Sequence, residues 1–473
     1  TRKHKIHTLK HMSLPALKKA SLPKAPPLVK LLGPSFILLG LGLGSGELIL
    51  WPYLASQYGL GIIWGAVLGI TLQFFINMEI ARYTLVTGES VFVGLTRKLG
   101  GISPIWFIFS TLIPWMWPGI AASAATLLAA LFGISYTPII PIGLLLAIGV
   151  IYTLGPVIYK TQETLQRLII IIGVPFIFGL AIYFAGPSDW EALGRGVLGF
   201  GSHFWLVPAG ISATTFLAAF AYAGAGGNLN LGQSLYIKEK GYGMGKYSGR
   251  LTSFLTGKKE DVSLIGTTFE MNQKNVSLFK DWWRKINIEH AVVFWATGAT
   301  TMLLLALLAY ITVFEKSSTS GINFVIEEAH AMTALVGPAV GVLFLSVATV
   351  MLFFTQFSVF GTTSRIMTEN LLLASSAFKT KHAGNYFYFF LWLQILLGII
   401  VFLLGFKEPL TLVIIGAVLN AFSMFIYTGL VLGLNKTSLK KAVQPNRFRT
   451  SIVSVAFLFY GGFSLYTIID RLF

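Results

Sequence analysis

The chain has 473 residues, of which 55% are hydrophobic and 11% are charged, and its formal net charge is +17. Its mean hydropathy of +0.74 indicates a polytopic membrane protein and excludes an ordinary soluble enzyme. The chain contains no cysteine, which excludes disulfides, thiolate metal sites and thiol nucleophiles.

Residues 1–30 carry eight basic side chains and no long apolar core, so we do not expect a cleavable signal peptide. This segment is predicted to be a cytoplasmic basic arm that can lie on anionic lipid. Eleven apolar spans follow, numbered here in chain order. They cover residues 31–57, 60–84, 104–132, 138–156, 165–186, 207–236, 288–314, 334–372, 385–406, 409–434 and 449–470.

The positive charges predict the orientation of these spans. With the amino terminus inside, 31 of the 35 basic residues fall on inner segments, and only Arg195, Lys316, Lys407 and Arg471 fall outside. Because inner loops are enriched in Lys and Arg, this pattern predicts a cytoplasmic amino terminus and an extracytoplasmic carboxy terminus. The charge therefore indicates a lipid membrane as partner, with no nucleic acid. The mostly short loops fit a prokaryotic plasma membrane.

Span 1 contains the run Gly-Leu-Gly-Leu-Gly-Ser-Gly-Glu at residues 40–47. Four glycines in seven residues weaken a helix, because each leaves the backbone with more entropy to lose. A broken membrane helix is tolerated where it is buried in protein or lines a wet cavity. The run ends in Glu47, and intramembrane carboxylates usually have a function. The simpler alternative is a glycine-lined helix contact in which Glu47 is structurally paired.

Span 6 has a second cluster of helix breakers at residues 221–230, with glycines at 224, 226 and 227. Span 1 opens the first set of five spans and span 6 opens the second. Interrupted spans in matching halves are typical of transporters built from inverted repeats, which bind their substrate at the midplane. The sequence therefore predicts an all-α polytopic membrane protein, with a 5+5 inverted repeat in which spans 1 and 6 are unwound. The two repeats are predicted at 31–186 and 207–434, and the additional eleventh span at 449–473.

The polar segments outside the spans support fewer predictions about structure and function. The longest, 237–287, is predicted to be cytoplasmic, and tryptophans and basic residues at 276–288 favour an amphipathic segment there over a solvated loop. On the outer side, Glu327, Glu328 and His330 are predicted to form a solvated face rather than a metal site.

Other polar residues of the spans are predicted to have structural roles. Glu79 and Arg82 are three residues apart in span 2, which favours an ion pair over a proton site. His203 and His290 lie at span ends and are predicted to be interface residues. No nucleophile elbow, phosphate loop or metal-ligand spacing occurs within the spans, so we expect neither an enzyme nor a cofactor.

Several stretches resemble the Nramp family of divalent-metal transporters. Gly-Pro-Ser-Phe at 33–36 and Gly-Ser-Gly-Glu at 44–47 look like the family's GPGF and DPGN motifs at identical spacing. Residues 80–88, 228–231 and 354–370 are similar to its AAR…VTG, NLYL and span 8 segments. The resemblance extends over about residues 31–434 and implies the leucine-transporter fold.

The chain departs from that family at the positions that carry its chemistry. The family's metal-binding Asp falls on Gly44 and its Asn on Glu47, while its Met, Pro and His fall on Ala225, Gly226 and Gly227. Its proton-carrying acidic pair falls near Trp117 and Ile120. The comparison implies a divergent relative that lacks the soft thioether ligand, and it favours movement without proton coupling. Such a site suits a hard ion such as Mg²⁺ better than Mn²⁺ or Fe²⁺.

Two kinds of substrate remain open. A partly hydrated divalent cation would be bound by Glu47 as the metal ligand, together with neutral oxygens. A small organic solute, such as an amino acid or carboxylate, would bind bare amides at the Gly-Ser-Gly break, which also looks like that of the amino acid–polyamine–organocation superfamily. The predicted substrate-binding residues are Gly44, Ser45, Gly46, Glu47, Tyr222, Ala225, Gly226, Gly227 and Asn228, and the predicted path-lining residues are Trp117, Asn230, Gln356 and Asn420.

Overall fold

The computed structural model describes residues 14–31, 33–154, 158–211, 213–248, 263–316 and 321–472. Within these residues, nine helical segments are long and apolar enough to cross a membrane. They correspond in order to predicted spans 1, 2, 3, 5, 7, 8, 9, 10 and 11. Their bounds are Pro34–Tyr58, Leu60–Thr87, Ile102–Leu131, Gln162–Phe184, Gln273–Thr312, Pro338–Ala374, Thr380–Leu403, Pro409–Ser438 and Arg447–Ile469.

The two other predicted spans have different forms. Span 4 is the shorter apolar helix Ile139–Leu154. Span 6 is divided into the α-helix Ala213–Ala221, the 3₁₀ turn Gly227–Leu229 and the α-helix Gly232–Lys240. The order of helices follows the eleven predicted spans, and the number of complete crossings stays a prediction.

Span 6 is interrupted where its glycines predict a break. Gly224, Gly226 and Gly227 have φ angles of 125°, 75° and 52°. Side chains with a Cβ rarely adopt these values, so the helix cannot continue through them. Residues 222–231 are all buried, which is the setting in which a membrane protein tolerates irregular backbone.

Span 1, in contrast, keeps a continuous helix. Leu43–Leu50 forms a π-helix between the α-helical segments Pro34–Gly42 and Trp51–Tyr58. None of the glycines in this run has a φ angle in the left-handed region. The predicted unwinding of span 1 is therefore wrong in form: the α geometry is interrupted, but a wider helical turn accommodates the glycines without freeing a stretch of backbone. Such π segments are rare and frequently lie at functional sites.

The described part of the predicted basic arm packs against the segment that precedes span 7. Lys18–Lys19 pairs in parallel with Thr267–Thr268, and the Trp282 indole N–H donates to the Pro23 carbonyl at 2.7 Å. The predicted amphipathic segment is part of the helix Gln273–His290, which buries Trp282 and continues into span 7. Residues 14–31 therefore cover the apolar face of this helix.

A buried carboxylate lies in the helix that precedes span 8. In the helix Asn323–Val336, the side chains of Glu327 and His330 are accessible, and Nδ1 of His330 lies 3.9 Å from Oε1 of Glu327. Glu328 is only 2% exposed, so the predicted solvated face is wrong for this residue, and burial raises its pKa well above the usual value. In the described residues, no group of three or more His, Asp or Glu side chains could hold a metal ion.

Candidate functional site

Spans 1 and 6 meet at their glycines. A Cβ placed on Gly42 would lie 2.9 Å from the carbonyl group of Gly224. A Cβ on Gly46 would overlap the carbonyl oxygen of Tyr222. Only residues without a side chain allow the two helices to approach this closely, so these glycines form the helix contact expected from the simpler alternative. The contact places the π segment of span 1 directly against the break in span 6.

Other residues of the π segment face other helices. A Cβ on Gly44 would lie 2.7 Å from the side chain of Thr355 on span 8. The Glu47 Oε1 atom lies 3.2 Å from the position of a Cβ on Gly298, so this carboxylate is directed at span 7. Both carboxylate oxygens of Glu47 and the hydroxyl of Ser45 are buried without a hydrogen-bond partner among the described residues. The expectation of a structurally paired Glu47 is therefore wrong.

Gln73 of span 2 holds the break in span 6. Its Nε2 donates to the Ala221 carbonyl at 3.1 Å. Its Oε1 accepts from the Gly226 N–H and from Asn230 Nδ2, both at 3.2 Å. One side chain thus satisfies backbone groups on either side of the interruption, as an unwound segment away from water requires. The sequence did not identify Gln73 as a site residue, because a single Gln in an apolar span has no pattern around it.

Two asparagines follow the break and bind neighbouring spans through their amide nitrogens. Asn228 Nδ2 donates to the hydroxyls of Ser110 and Thr111 on span 3, each at 2.9 Å. Asn230 Nδ2 also donates to the Tyr427 hydroxyl on span 10 at 2.9 Å. The Oδ1 atoms of both asparagines are buried and unpartnered in the part of the chain that the structure describes. Each side chain therefore presents an acceptor oxygen.

Span 10 contributes a third amide of the same kind. Asn420 Nδ2 donates to the Tyr222 hydroxyl at 3.0 Å, while its Oδ1 has no partner among the described groups. The ring of Trp115 stacks on Tyr222 with centroids 5.4 Å apart. Trp117, predicted to line the path, packs edge-on against Phe406 with ring centroids 5.9 Å apart. Trp115 is therefore the residue of span 3 whose ring stacks on the break in span 6.

The remaining predicted site residues lie near the place where spans 1 and 6 meet. Ala225 is fully buried, and a Cβ on Gly227 would overlap the side chain of Asn420, so glycine leaves room for that amide. Gln356 on span 8 accepts a hydrogen bond from the backbone of Ala121 on span 3 at 3.3 Å. This hydrogen bond joins spans 3 and 8.

We refer to the meeting point of spans 1 and 6, with the neighbouring amides, as the crossing site. Ser45, Asn228, Asn230 and Asn420 have no exposed surface, so the site is closed in this conformation. Each contributes an unpartnered side-chain oxygen. Oxygens of this kind can coordinate a cation or accept hydrogen bonds from a solute.

Comparison with known proteins identifies the fold. No family model and no curated protein matches the chain. A structure of the manganese transporter of Eremococcus coleocola, in complex with an aromatic bis-isothiourea substituted compound, is similar over 96% of this chain and 90% of its own, with a TM-score of 0.66 and 12% identity. MHP1, a nucleobase-cation-symport-1 family transporter with bromovinylhydantoin bound, is similar over 98% of this chain and 94% of its own, with a TM-score of 0.53 and 12% identity. These likenesses confirm the predicted leucine-transporter fold.

Proposed function

We propose that this chain is a secondary transporter, related to the Nramp family, that moves a small solute by alternating access. We further propose that the solute is a hard divalent cation such as Mg²⁺. The fold supports the first statement, because a manganese transporter and a nucleobase-cation symporter share it. The observation that carries the second is the group of buried, unpartnered oxygen atoms at the crossing site.

The chemistry of these atoms favours a hard ion. Mg²⁺ binds oxygen ligands and usually keeps several of its waters. The three asparagines at the crossing site use their NH₂ groups on neighbouring acceptors and leave Oδ1 unpartnered, so their free atoms are acceptors. Ala225, Gly226 and Gly227 stand where the Nramp pattern has Met, Pro and His. The site therefore offers neither the thioether nor the imidazole that suits Mn²⁺ and Fe²⁺.

Glu47 is the only formally charged residue among the predicted site residues. A carboxylate buried without a partner is destabilising by several kcal/mol, which a bound cation offsets. Its chain neighbour Gly46 touches Tyr222 at the crossing site, while the carboxylate is directed at span 7. We assign Glu47 the role of compensating the ion's charge, either directly or through retained water.

A carrier of a small organic solute is the second candidate. The stacked rings of Trp115 and Tyr222 provide a flat surface next to the break, which suits a planar molecule. The amides of residues 44–46 do not support this candidate, because they lie inside a continuous helix beyond its first turn. Such a solute would instead meet the start of the second half of span 6 at Gly227.

The test is ion flux into proteoliposomes that contain a Mg²⁺-sensitive dye. We expect Mg²⁺ to enter down its gradient and Glu47→Gln to reduce the initial rate at least tenfold. Glu270→Gln is the matched control, because Glu270 is an exposed carboxylate on the inner surface. Wild-type flux in Glu47→Gln would overturn the role of Glu47, and uptake of an amino acid without Mg²⁺ flux would favour the second candidate.

The same vesicles test proton coupling. The positions of the Nramp acidic pair carry no carboxylate here, which supports movement of the ion down its own gradient. An imposed pH gradient is therefore expected to leave the final Mg²⁺ level unchanged. Accumulation above the external concentration under that gradient would contradict uncoupled movement.

A further inference from the structure

A second buried polar cluster joins spans 1 and 7 at the inner end of the bundle. The Ser35 hydroxyl, in the first turn of span 1, donates to Glu289 Oε2 at 2.6 Å. The Ser35 hydroxyl oxygen also lies 2.8 Å from Nδ1 of His290. The exposed fractions of Ser35, Glu289 and His290 are 1%, 4% and 0%. We call these three residues the inner cluster.

The hydrogen bonds of the inner cluster fix its donors and acceptors. A serine hydroxyl has one proton, and Ser35 uses it toward Glu289, so Nδ1–H of His290 donates to the Ser35 oxygen. Nε2 of the neutral imidazole then carries no proton. Both Nε2 and the second carboxylate oxygen, Glu289 Oε1, are buried without a partner among the described residues. The cluster therefore has two acceptor atoms that can take one more proton.

The surroundings of the inner cluster are apolar on one side. The imidazole of His290 lies between two phenyl rings, with centroids 5.5 Å from Phe74 and 4.6 Å from Phe294. Stacking on both faces fixes the ring and keeps water from it. The imidazole can therefore rotate little, and its Nδ1 remains directed at Ser35.

Charged groups on the other side are already engaged. Lys240 is a basic residue that acts on Glu289, and its Nζ lies 2.7 Å from Oε1 of Glu163. Tyr242 faces Glu289 and donates its hydroxyl proton to the backbone of Leu31. Lys240 and Tyr242 are the titratable groups that interact with Glu289, and Glu163 and Arg167 in turn interact with Tyr242. The carboxylate of Glu289 is therefore buried beside a basic residue that another acid already binds.

We infer that Ser35, Glu289 and His290 form a proton-binding site that holds span 1 against span 7. A proton taken from the inner solution binds Glu289 Oε1 or His290 Nε2, and no bond is broken. The added proton neutralises a buried charge that hydrogen bonds compensate only in part, so it stabilises the closed arrangement seen here. Release of the proton leaves that charge buried and favours separation of the two spans, which hydrates it.

A proton site in the inner cluster is compatible with the proposed uncoupled transport. A site reached from the inner side alone sets the rate of opening, but it does not drive the solute uphill. Its effect on transport rests on the proposed function, while proton binding itself does not. The sequence could not show the inner cluster, because Ser35 and Glu289 are 254 residues apart.

Infrared difference spectroscopy of the purified full-length protein in lipid nanodiscs tests the proton site directly. We expect a carboxylic-acid carbonyl band that grows as the pH falls and that is lost in Glu289→Gln. Ser35→Ala, a smaller change that retains the acid, should shift the midpoint of this band. Asp281→Asn, in a partly exposed carboxylate on the same helix, should leave the band unchanged. The same pH-dependent band in wild type and Glu289→Gln, with no shift in Ser35→Ala, would overturn the inference.

Flux measurements separate this inference from the proposed function. In wild-type proteoliposomes, Mg²⁺ flux should slow as the pH on the inner side of the protein falls, and Glu289→Gln should remove this dependence. An intact infrared band without any Mg²⁺ flux would refute the proposed substrate and leave the proton site standing. Flux whose dependence on pH is the same in Glu289→Gln would refute the effect of the site on opening.

Discussion

Replacement of Gly46 by alanine tests the close contact between spans 1 and 6. The added Cβ would lie 2.6 Å from the carbonyl carbon of Tyr222 and closer still to its oxygen. Backbone cannot give way as a flexible side chain can, so the two helices must separate. Overpacking of this kind costs about 1–3 kcal/mol, and alanine returns about 1 kcal/mol of helix propensity. Because the overlap is with a backbone oxygen, we take the upper end of that cost and expect a net loss of about 2 kcal/mol, or a roughly thirtyfold lower ratio of folded to unfolded protein.

The assay is unfolding by sodium dodecyl sulfate in mixed micelles, followed by the fluorescence of the 11 tryptophans. Gly179→Ala is the matched control, because Gly179 lies within the helix of span 5 and a Cβ there meets nothing within 4 Å. The control should be as stable as wild type or more stable. Equal stability of the Gly46→Ala and Gly179→Ala variants would refute the contact between spans 1 and 6.

Three further predictions concern other parts of the molecule. Gln73→Leu removes the hydrogen bonds that hold the break in span 6. We expect the free energy of unfolding to fall by about 2–4 kcal/mol in the same assay and amide exchange at residues 221–230 to become faster. Unchanged exchange would contradict this role of Gln73. Arg365→Leu removes the guanidinium whose Nη1 lies 2.6 Å from Oε2 of Glu239. We expect a loss of about 3 kcal/mol, because a buried ion pair is broken; a variant as stable as wild type would show that the pair does not contribute to stability. The raised pKa of Glu328 means that the folded protein loses stability as the pH rises above the ordinary carboxyl pKa. Glu328→Gln should therefore raise the melting temperature at pH 8 and leave it nearly unchanged at low pH, and an equal shift at both would exclude the burial effect.

The sequence predicted the break in span 6 better than that in span 1 because the two glycine groups act differently. Gly226 and Gly227 are adjacent and adopt positive φ angles that no helix contains. The glycines of span 1 alternate with Leu41, Leu43 and Ser45, so Gly42 and Gly46 fall four residues apart on the face that meets span 6. Glycine density alone does not distinguish a break from a close helix contact. The spacing is the more informative signal.

The polar residues that complete the crossing site could not be predicted from the sequence. Gln73, the adjacent pair Ser110 and Thr111, and Tyr427 lie in apolar spans without a recognisable motif around them. Such residues usually satisfy a nearby backbone carbonyl, and only the packed fold shows that these four surround residues 221–230. Glu47 shows the reverse case, because its position in the run was predictable but its direction toward span 7 was not.

Calorimetric titration of the purified protein with Mg²⁺, Mn²⁺ and a panel of amino acids tests the central proposal most directly. We predict heat of binding with Mg²⁺, weaker binding of Mn²⁺ than in a site with a thioether ligand, and no heat with the panel. Glu47→Gln should abolish the Mg²⁺ signal. Binding of an amino acid by wild type, or undiminished Mg²⁺ binding by Glu47→Gln, would contradict a cation site at the meeting point of spans 1 and 6.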